Sequence, residues 1–349
     1  MSLIDFVQAM LQNSMLLVST VLTLGVILVN GWTDAPNAIA TCVSTRAIGA
    51  RKAIFMAAVF NLLGVFIMTM VAPNVAQTVT KMVSFGSGKE SLIALCAAML
   101  AIVVWATAAW YFSIPTSESH ALIAGLSGAA LAIPGGKING SEWMKVIYGL
   151  GLSTVLGFAA GYIVAKIIAL IFKNKNRLKC EKFFSKGQVV GGAMMAFMHG
   201  AQDGQKFMAI FIMGSFLANG LELPKEGFNS MEWIWLMVVC ALVMGLGTSI
   251  GGYRIIKSVG MDMVKLKPYQ GFAADIVSTG CLLLASLTGI PVSTTHTKTT
   301  AIMGVGAARR ISNVNWGVVK ELILTWVFTF PGCGFLGFIV AKLFLMMFA

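Results

Sequence analysis

The feature that most restricts how this chain can fold is a series of apolar stretches that recurs from one end to the other. Each is about 20 residues or longer, and about 20 residues of α-helix cross the roughly 30 Å hydrocarbon core of a bilayer. Charged residues make up only 11% of the 349 positions, against about 25% in an ordinary soluble domain. The sequence therefore predicts an all-α polytopic membrane protein and argues against a soluble enzyme.

About ten membrane passes can be drawn along the chain. They fall at 12–43, 53–72, 92–113, 115–133, 146–172, 188–217, 233–252, 269–290, 291–308 and 316–348. The basic stretch KNKNRLKCEKFFSKG separates five passes from five. We therefore expect a first repeat at 1–172, a linker at 173–187 and a second repeat at 188–349. An odd number of passes per half predicts that the two repeats have opposite orientations in the bilayer.

The formal net charge of +12 is interpreted as a topology signal rather than as a sign of nucleic-acid binding. Basic loops of membrane proteins stay in the cytoplasm. With the linker placed there, alternation puts 15 Lys and Arg in cytoplasmic loops and five, including Lys225, in opposite loops. This distribution predicts an integral protein of a bacterial or archaeal plasma membrane, with both termini outside.

Two pairs of motifs indicate an internal repeat. The segment PTSESHALIAGLSG, which begins at Pro115, aligns with PVSTTHTKTTAIMG, which begins at Pro291, at an offset of 176. Upstream, NGWTDAPN at 30–37 aligns with HGAQDGQK at 199–206 at an offset of 169, which places Asp34 on Asp203. Inverted repeats place a substrate site near the bilayer midplane, where discontinuous or re-entrant helices of both halves meet.

Buried ionisable residues concentrate in these four motifs. Three of the four acids at membrane depth lie in them, and the fourth is on a later pass; the four are Asp34, Glu118, Asp203 and Asp275. The three histidines of the chain, His120, His199 and His296, also lie there. An acid at the centre of a membrane helix costs about 2.5 to 3.5 kcal/mol, so each needs a partner, a proton or a water-filled cavity. The alternative to function is that some of them only hold helices together.

Two passes are expected to break at these motifs. The first pass is longer than needed and contains Gly31 and Pro36, and the sixth contains Gly200 and Gly204. Broken helices free backbone carbonyls. Together with Asp34, Asn37, Gln202 and Asp203, these carbonyls would form a set of hard oxygen ligands suited to Na⁺. Lys206, three residues after Asp203, offers a simpler alternative, because it could neutralise that carboxylate on the same helix face.

The second pair of motifs offers hydroxyl groups directly after a proline suited to the first turn of a helix. The candidates for anion binding are Thr116, Ser117, Ser119, Ser293, Thr294 and Thr295. Two helix starts that face each other would surround a tetrahedral oxyanion with amide donors and partial positive charge. Isolated Ser and Thr in membrane helices usually bond to their own backbone, but that does not explain two matched clusters. Lys298 could hold the anion directly or extend to an interface.

These motifs resemble those of the inorganic phosphate transporter (PiT) family of ion-coupled symporters. The resemblance rests on the segments at 30–53, 115–129, 199–206 and 291–310, which together span nearly the whole chain. It implies phosphate uptake coupled to Na⁺ or H⁺ by a homodimer, with no resident cofactor. It also implies that Asp34, Asn37 and Asp203 coordinate the ion, and that Ser117, Ser119 and the run from Ser293 to Thr295 hold phosphate.

This chain departs from the family pattern at several positions. Where the family has an Asn-Asp pair, this sequence has Thr33 before Asp34 and Gln202 before Asp203. A glutamate common in the second pass is Asn61 here, and another is Asp275. We assign the remaining buried candidates to coupling or support: Glu118, His120, His296 and Asp275.

The leading hypothesis is a secondary active symporter, not an enzyme, that imports inorganic phosphate with Na⁺ or H⁺ by alternating access. A sulfate transporter of the same family is the first alternative. An anion channel is less favoured. Channels line their pores with rings of basic residues, and the predicted midplane of this chain lacks such rings. An intramembrane hydrolase that uses a Ser and a His is the last alternative.

Overall fold

The computed structural model describes residues 2–86, 89–112, 116–221 and 233–349. Pro115 and Lys225 lie outside the described residues. The helices are α1 (Leu3–Gln12), α2 (Ser14–Thr33), α3 (Pro36–Ser44), α4 (Ala50–Val71), α5 (Asn74–Met82), α6 (Lys89–Tyr111), α7 (Glu118–Ala132), α8 (Gly140–Ile171), α9 (Arg177–His199), α10 (Gln205–Ala218), α11 (Ile234–Gly251), α12 (Tyr253–Lys257), α13 (Pro268–Thr288), α14 (Thr294–Arg309) and α15 (Trp316–Phe348). Two π-helical segments (Gly200–Gly204 and Ser258–Asp262), a 3-10 turn (Ile311–Asn313) and two short strands, β1 (Val83–Ser84) and β2 (Lys137–Ile138), lie between them. The described chain is thus mostly helical, as predicted.

Six helical segments of the described chain are long and apolar enough to cross a bilayer, judged by length and composition. They are Ser14–Ser44, Ala50–Val71, Glu90–Tyr111, Gly140–Ile171, Pro268–Thr288 and Trp316–Phe348. A bent pair, Ile234–Ile250 with Tyr253–Asp262, would add a seventh. The predicted passes at 115–133 and 291–308 correspond to α7 and α14, which have only 15 and 16 residues. These two helices are too short to span the roughly 30 Å core on their own.

The predicted break in the first pass is present as a two-residue interruption of the α-helical hydrogen-bond pattern, within a segment that remains one candidate span. Helix α2 ends at Thr33 and α3 begins at Pro36, so that Asp34 lies at the junction. Pro36 has no amide hydrogen, and the carbonyl of Trp32 therefore loses its usual helical partner. The amide of Asn37 donates to the Asp34 carbonyl instead of continuing the α-helical pattern.

The predicted break in the sixth pass is wrong. Residues Gly200–Gly204 form one π-helical turn that connects α9 to α10 with helical backbone angles. Gln205 stands where the first motif has Pro36 and keeps its amide hydrogen, so the helix continues. The π turn adds a residue to the helix without interrupting the backbone.

The two short helices pack against the long helices of the opposite half. Helix α7 lies against α15, and α14 lies against α8. At both contacts a glycine faces backbone: a Cβ at Gly128 would collide with Gly334, and a Cβ at Gly304 would collide with Phe158. Gly128 and Gly304 occupy equivalent positions of the two aligned motifs. Close helix contacts of this kind are typical of membrane proteins.

The short helices form the interior of the bundle. Almost every residue of α7 and α14 is buried, including the polar residues of their first turns. By contrast, only 17% of the most apolar stretch of α8 and 22% of that of α15 are buried inside the protein. The long helices therefore present apolar surface outwards, while the polar motifs are enclosed.

Candidate ion and anion site

The junction of α2 and α3 holds Asp34 in a network that reaches the opposite half. The Oδ1 atom of this fully buried residue accepts hydrogen bonds from Asn37 Nδ2, at 3.1 Å, and from the hydroxyl of Thr295 on α14. Asn37 Nδ2 also donates to Thr295 Oγ1 at 2.7 Å. Asp34 Oδ2 has no hydrogen-bond donor among the described residues. The carboxylate is therefore held at one oxygen only.

The π turn holds Asp203 in a similar network. Here the aspartate belongs to the second half of the chain and is linked through Lys206 to a hydroxyl of the first half. Lys206 Nζ donates to Asp203 Oδ1 at 2.7 Å, to Ser119 Oγ on α7 at 2.6 Å and to the Val292 carbonyl at 2.8 Å. Asn30 Nδ2 donates to Asp203 Oδ2 at 3.1 Å. All of these side chains are at most 2% exposed. The alternative in which Lys206 neutralises Asp203 is thus the arrangement that the structure has.

The surroundings of Asp34 at the α2–α3 junction and those of Asp203 in the π turn, which we call the Asp34 corner and the Asp203 corner, lie close together. One ligand atom each from Asp34, His199 and Asp203 can be chosen so that all three lie within 4.8 Å of one another. His199 Nε2 is 3.2 Å from Asp203 Oδ2, and its Nδ1 atom is 3.2 Å from Asn61 Oδ1. Two carboxylates about 5 Å apart repel by about 3 kcal/mol at an effective dielectric constant of about 20. Since Lys206 carries a single charge, the pair can accommodate a further cation.

Several buried oxygens around these corners have no hydrogen-bond donor among the described residues. They are Asn30 Oδ1, Asp34 Oδ2, Asn37 Oδ1, Glu118 Oε2 and Gln202 Oε1. Gln202 is oriented by its amide, which donates to Ser286 Oγ at 2.9 Å. Buried polar atoms are normally paired, and carboxylate and amide oxygens are the ligands that hard cations prefer. Their donor chemistry is that of a site for a small cation such as Na⁺, and the assignment of such a site to Asp34, Asn37, Gln202 and Asp203 stays a prediction.

The two short helices begin in the same way. Ser117 and Ser293 are the N-caps of α7 and α14, and their hydroxyl oxygens accept from the amides of His120 and His296 at 3.3 and 3.1 Å. The prediction that proline occupies the first helical turn is wrong for Pro291, which lies two residues before the N-cap. Each cap satisfies one amide, and the amides of the first two helical residues remain without intrahelical partners.

The starts of these helices meet in the interior. Ser119 Oγ lies 3.4 Å from the Val292 carbonyl, and the rings of His120 and His296 are 4.3 Å apart between centroids. Thr116 Oγ1 and Thr329 Oγ1 lie 3.1 Å apart. Thr294 Oγ1 has no partner among the described residues. The candidate anion residues of the two halves are therefore brought to one region of the molecule.

Glu118, in the first turn of α7, and His296, in the first turn of α14, have different surroundings. Thr33 Oγ1 contacts Glu118 Oε1 at 2.5 Å, whereas His296 stacks on Trp326 with centroids 3.7 Å apart. Neither ring nitrogen of His296 has a hydrogen-bond partner among the described residues. A hydrolase needs a Ser hydroxyl bonded to the His ring, but Ser293 accepts from the backbone amide of His296 instead.

Asp275 and Lys298 form a separate buried ion pair. Lys298 Nζ donates to Asp275 Oδ1 and to Thr41 Oγ1, and Thr41 Oγ1 donates to the same carboxylate oxygen at 2.7 Å. Lys298 has no exposed surface. It therefore does not extend to an interface, which was one of the two alternatives for this residue. Direct contact of Lys298 with the anion stays a prediction.

Sequence reasoning missed Asn30, Thr33 and Thr41 as partners of buried acids. The sequence gives a partial signal for Asn30 and Thr41. Asn30 precedes Asp34 by four residues and Thr41 follows it by seven, and both are spacings of one helix face. The stacking of Trp326 on His296 has no local signal, since the two residues come from different helices.

A bundle of apolar helices with short buried helices that meet at an acidic centre is typical of membrane transporters. Residues 30–337 match the Phosphate transporter family, and the chain therefore belongs to that family. A probable low-affinity inorganic phosphate transporter of Bacillus subtilis is 39% identical over 88% of this chain and 91% of its own length. A protein of the same description from Rhizobium meliloti is 36% identical over 86% of this chain and 88% of its own.

A solved structure described as the sodium-dependent phosphate transporter has the same fold. It superposes with a TM-score of 0.86, covers 96% of this chain and all of its own, and is 22% identical. The relatives are transporters and not enzymes, which confirms the predicted class. The apolar helices and the bacterial relatives identify an integral membrane protein.

Proposed function

We propose that this protein is a secondary active symporter that imports inorganic phosphate together with Na⁺ by alternating access. Membership of the phosphate transporter family supports the substrate, and the sodium dependence named for the structural neighbour supports the ion. H⁺ is the second candidate ion, because Glu118 and Asp34 are buried acids that could carry a proton.

The observation that carries this proposal is the crossed contact between the two halves. Asp34 of the first half meets Thr295 of the second, and the Lys206 that pairs with Asp203 meets Ser119 of the first. Each acidic corner is thereby tied to the helix start of the opposite half. A change in the relative position of the halves would alter cation and anion sites together, which is the requirement for coupling.

The cation is assigned to the oxygens between Asp34 and Asp203, with Asn37 and Gln202 as further ligands. The phosphate is assigned to the starts of α7 and α14, where helix amides and the hydroxyl of Thr294, which has no partner among the described residues, are available beside Ser119. The candidate residues there are Thr116, Ser117, Ser119, Ser293, Thr294, Thr295 and Lys298. A cation at the acidic corner offsets the repulsion between the carboxylates and an incoming anion.

The arrangement in the membrane is part of the proposal. We assign ten passes in two inverted repeats, 1–172 and 188–349, joined by a cytoplasmic linker at 173–187, with both termini outside. The two short helices α7 and α14 reach the length of a pass only together with the residues that precede each of them. The repeat is supported by helix lengths, since α8 and α15 have 32 and 33 residues and begin at positions related by the offset of 176. It is also supported by matching bridges, Val83 with Ile138 and Val264 with Val314. A homodimer remains the predicted assembly.

Proteoliposomes loaded with purified protein test the function. Uptake of ³²P-phosphate is expected to require an inward Na⁺ gradient and to stop when Na⁺ is replaced by choline. Uptake driven by an H⁺ gradient alone would move the assignment to proton symport, and uptake indifferent to both gradients would refute symport. Unlabelled sulfate is expected to compete poorly; strong competition would favour a sulfate carrier, and large unitary currents would favour a channel.

A further inference from the structure

We propose that Lys206 occupies the place of a second coupling cation, so that the acidic centre accepts one Na⁺ per cycle where two equivalent corners would accept two. The inference rests on the proposed symport and concerns the number of ions that accompany each phosphate.

The two corners are built from equivalent positions. The offset of 169 places Asp34 on Asp203 and Asn37 on Lys206, and the offset of 176 places Ser119 on Thr295. In each corner the residue three positions after the aspartate bridges that carboxylate to a hydroxyl of the opposite short helix. Asn37 reaches Asp34 at 3.1 Å and Thr295 at 2.7 Å.

Lys206 makes the corresponding contacts with a charged group. Its Nζ lies 2.7 Å from Asp203 Oδ1 and 2.6 Å from Ser119 Oγ, and a third bond reaches the Val292 carbonyl. A carboxylate, a hydroxyl and a backbone carbonyl are the oxygen types that bind hard cations in proteins. The ammonium group uses all three of its protons in this cage.

The charge of the two corners therefore differs. Asn37 is neutral and supplies no charge to Asp34, whose Oδ2 has no hydrogen-bond donor among the described residues. Lys206 cancels the charge of Asp203 from within the chain and is itself 1% exposed. Because Lys206 is covalently attached, the Asp203 corner keeps its positive charge throughout the cycle, whereas the Asp34 corner must obtain one from solution.

A direct phosphate contact by Lys206 is the principal rival explanation. It requires phosphate to replace one of three existing hydrogen bonds, since no proton of Nζ is left over. That explanation predicts a change in phosphate affinity without a change in the number of ions.

The first experiment counts ions. Purified wild-type protein is incubated with ²²Na⁺ without phosphate, and the bound ions are counted by scintillation proximity. We expect one saturable site in the wild type and two in Lys206→Asn, which copies the neutral corner. Proteoliposomes should then show one more ²²Na⁺ per ³²P in this variant, together with a steeper Na⁺ dependence of uptake. Lys206→Arg, which keeps the charge, should keep the wild-type ratio.

A charge-neutral double variant tests the role of the Asp203 charge directly. Asp203→Asn combined with Lys206→Met removes the ion pair as a unit, leaves an amide oxygen at position 203 as a ligand for the cation at Asp34, and should keep the ratio of Na⁺ to phosphate at the wild-type value. Loss of one Na⁺ in this variant would show that the charge of Asp203 is needed to bind an ion and would overturn the inference. If Lys206→Asn does not fold, the double variant alone decides whether the inference holds.

The outcomes separate this inference from the proposed function. An unchanged ratio and an unchanged number of bound ions in Lys206→Asn, in a protein that still couples uptake to Na⁺, would refute the role of Lys206 alone. A higher phosphate half-saturation with an unchanged ratio would favour the rival. Phosphate uptake without ion coupling in the wild type would refute both proposals.

Discussion

The Asp34 corner and the Asp203 corner make the same contacts with different backbones and different charges. At Asp34 the helix is interrupted before Pro36, whereas at Asp203 a π turn carries the helix onwards through Gln205. Both aspartates are still bridged to a hydroxyl of the opposite short helix. A pair of equivalent sites can therefore keep its contact pattern while the local helix geometry changes.

The backbone difference has a local cause. Pro36 lacks the amide that would continue α2, while its counterpart Gln205 keeps its amide and uses its side chain elsewhere. Gln205 Nε2 donates to the Ala72 carbonyl at 3.0 Å, and Oε1 accepts from the Val75 amide at 3.1 Å. The second half thus gains a connection to the start of α5 that a proline could not make.

Asp34→Asn is expected to have the largest effect, because among the described residues no Lys or Arg forms an ion pair with Asp34. Loss of one carboxylate about 4 Å from an ion corresponds to about 4 kcal/mol at an effective dielectric constant of about 20, or roughly 1000-fold weaker Na⁺ binding. The measurement is the Na⁺ concentration for half-maximal ³²P uptake. Asp262→Asn, at an exposed residue, is the matched control. A shift of less than tenfold would contradict the assignment of the ion to Asp34.

Lys206→Met should be the most destabilising change at the other corner. Removal of one partner of a buried ion pair costs about 3 to 5 kcal/mol, because the remaining charge is left uncompensated. Asn37→Ala, at the equivalent position, removes neutral hydrogen bonds and should cost about 1 to 2 kcal/mol. Thermal unfolding in detergent, with and without Na⁺, compares the two. We expect Na⁺ to restore Lys206→Met more than Asn37→Ala; equal responses would mean that the corners do not differ in charge.

Thr295→Val tests the hydroxyl that ties the first corner to α14. A hydrogen bond to a charged group contributes about 1.5 to 3 kcal/mol, so half-saturation by Na⁺ should rise by about 10- to 100-fold. Ser119→Ala, the equivalent change, should affect Na⁺ less, because Lys206 retains Asp203 and the Val292 carbonyl as acceptors. A larger effect of Ser119→Ala on Na⁺ would reverse the comparison.

The smallest effect is expected at the helix caps, where the two halves are alike. Ser117→Ala and Ser293→Ala each remove an N-cap hydrogen bond and should lower stability by about 1 kcal/mol. The corresponding glycine variants should cost only a few tenths of a kcal/mol. Denaturation in mild detergent measures the free energy of unfolding of the two alanine variants and of the two glycine variants. A clear difference between the two caps would indicate that α7 and α14 are not equivalent.

Much of the candidate site could be located in the sequence because its motifs are local. The equivalence of Asp34 with Asp203 and of Ser117 with Ser293 follows from two short alignments, and the phosphate transporter family is confirmed. The break at Pro36 was predictable as well, since proline removes a donor wherever it occurs. The π turn was not, because glycine permits a break without requiring one. The position of Pro291 was wrong because a cap at Ser293 starts the helix later.

The sequence by itself determined the class of protein and the residue types of its centre, because hydropathy, helix caps and motif spacing are local properties of the chain. Only the tertiary structure decided which partner each buried charge meets. Asp34 and Thr295 are 261 positions apart, and the pairing of Lys298 with Asp275 rather than with solvent depends on how α13 and α14 pack. A buried charge must be compensated by whatever lies next to it in space, and that neighbour is set by the packing of the helices.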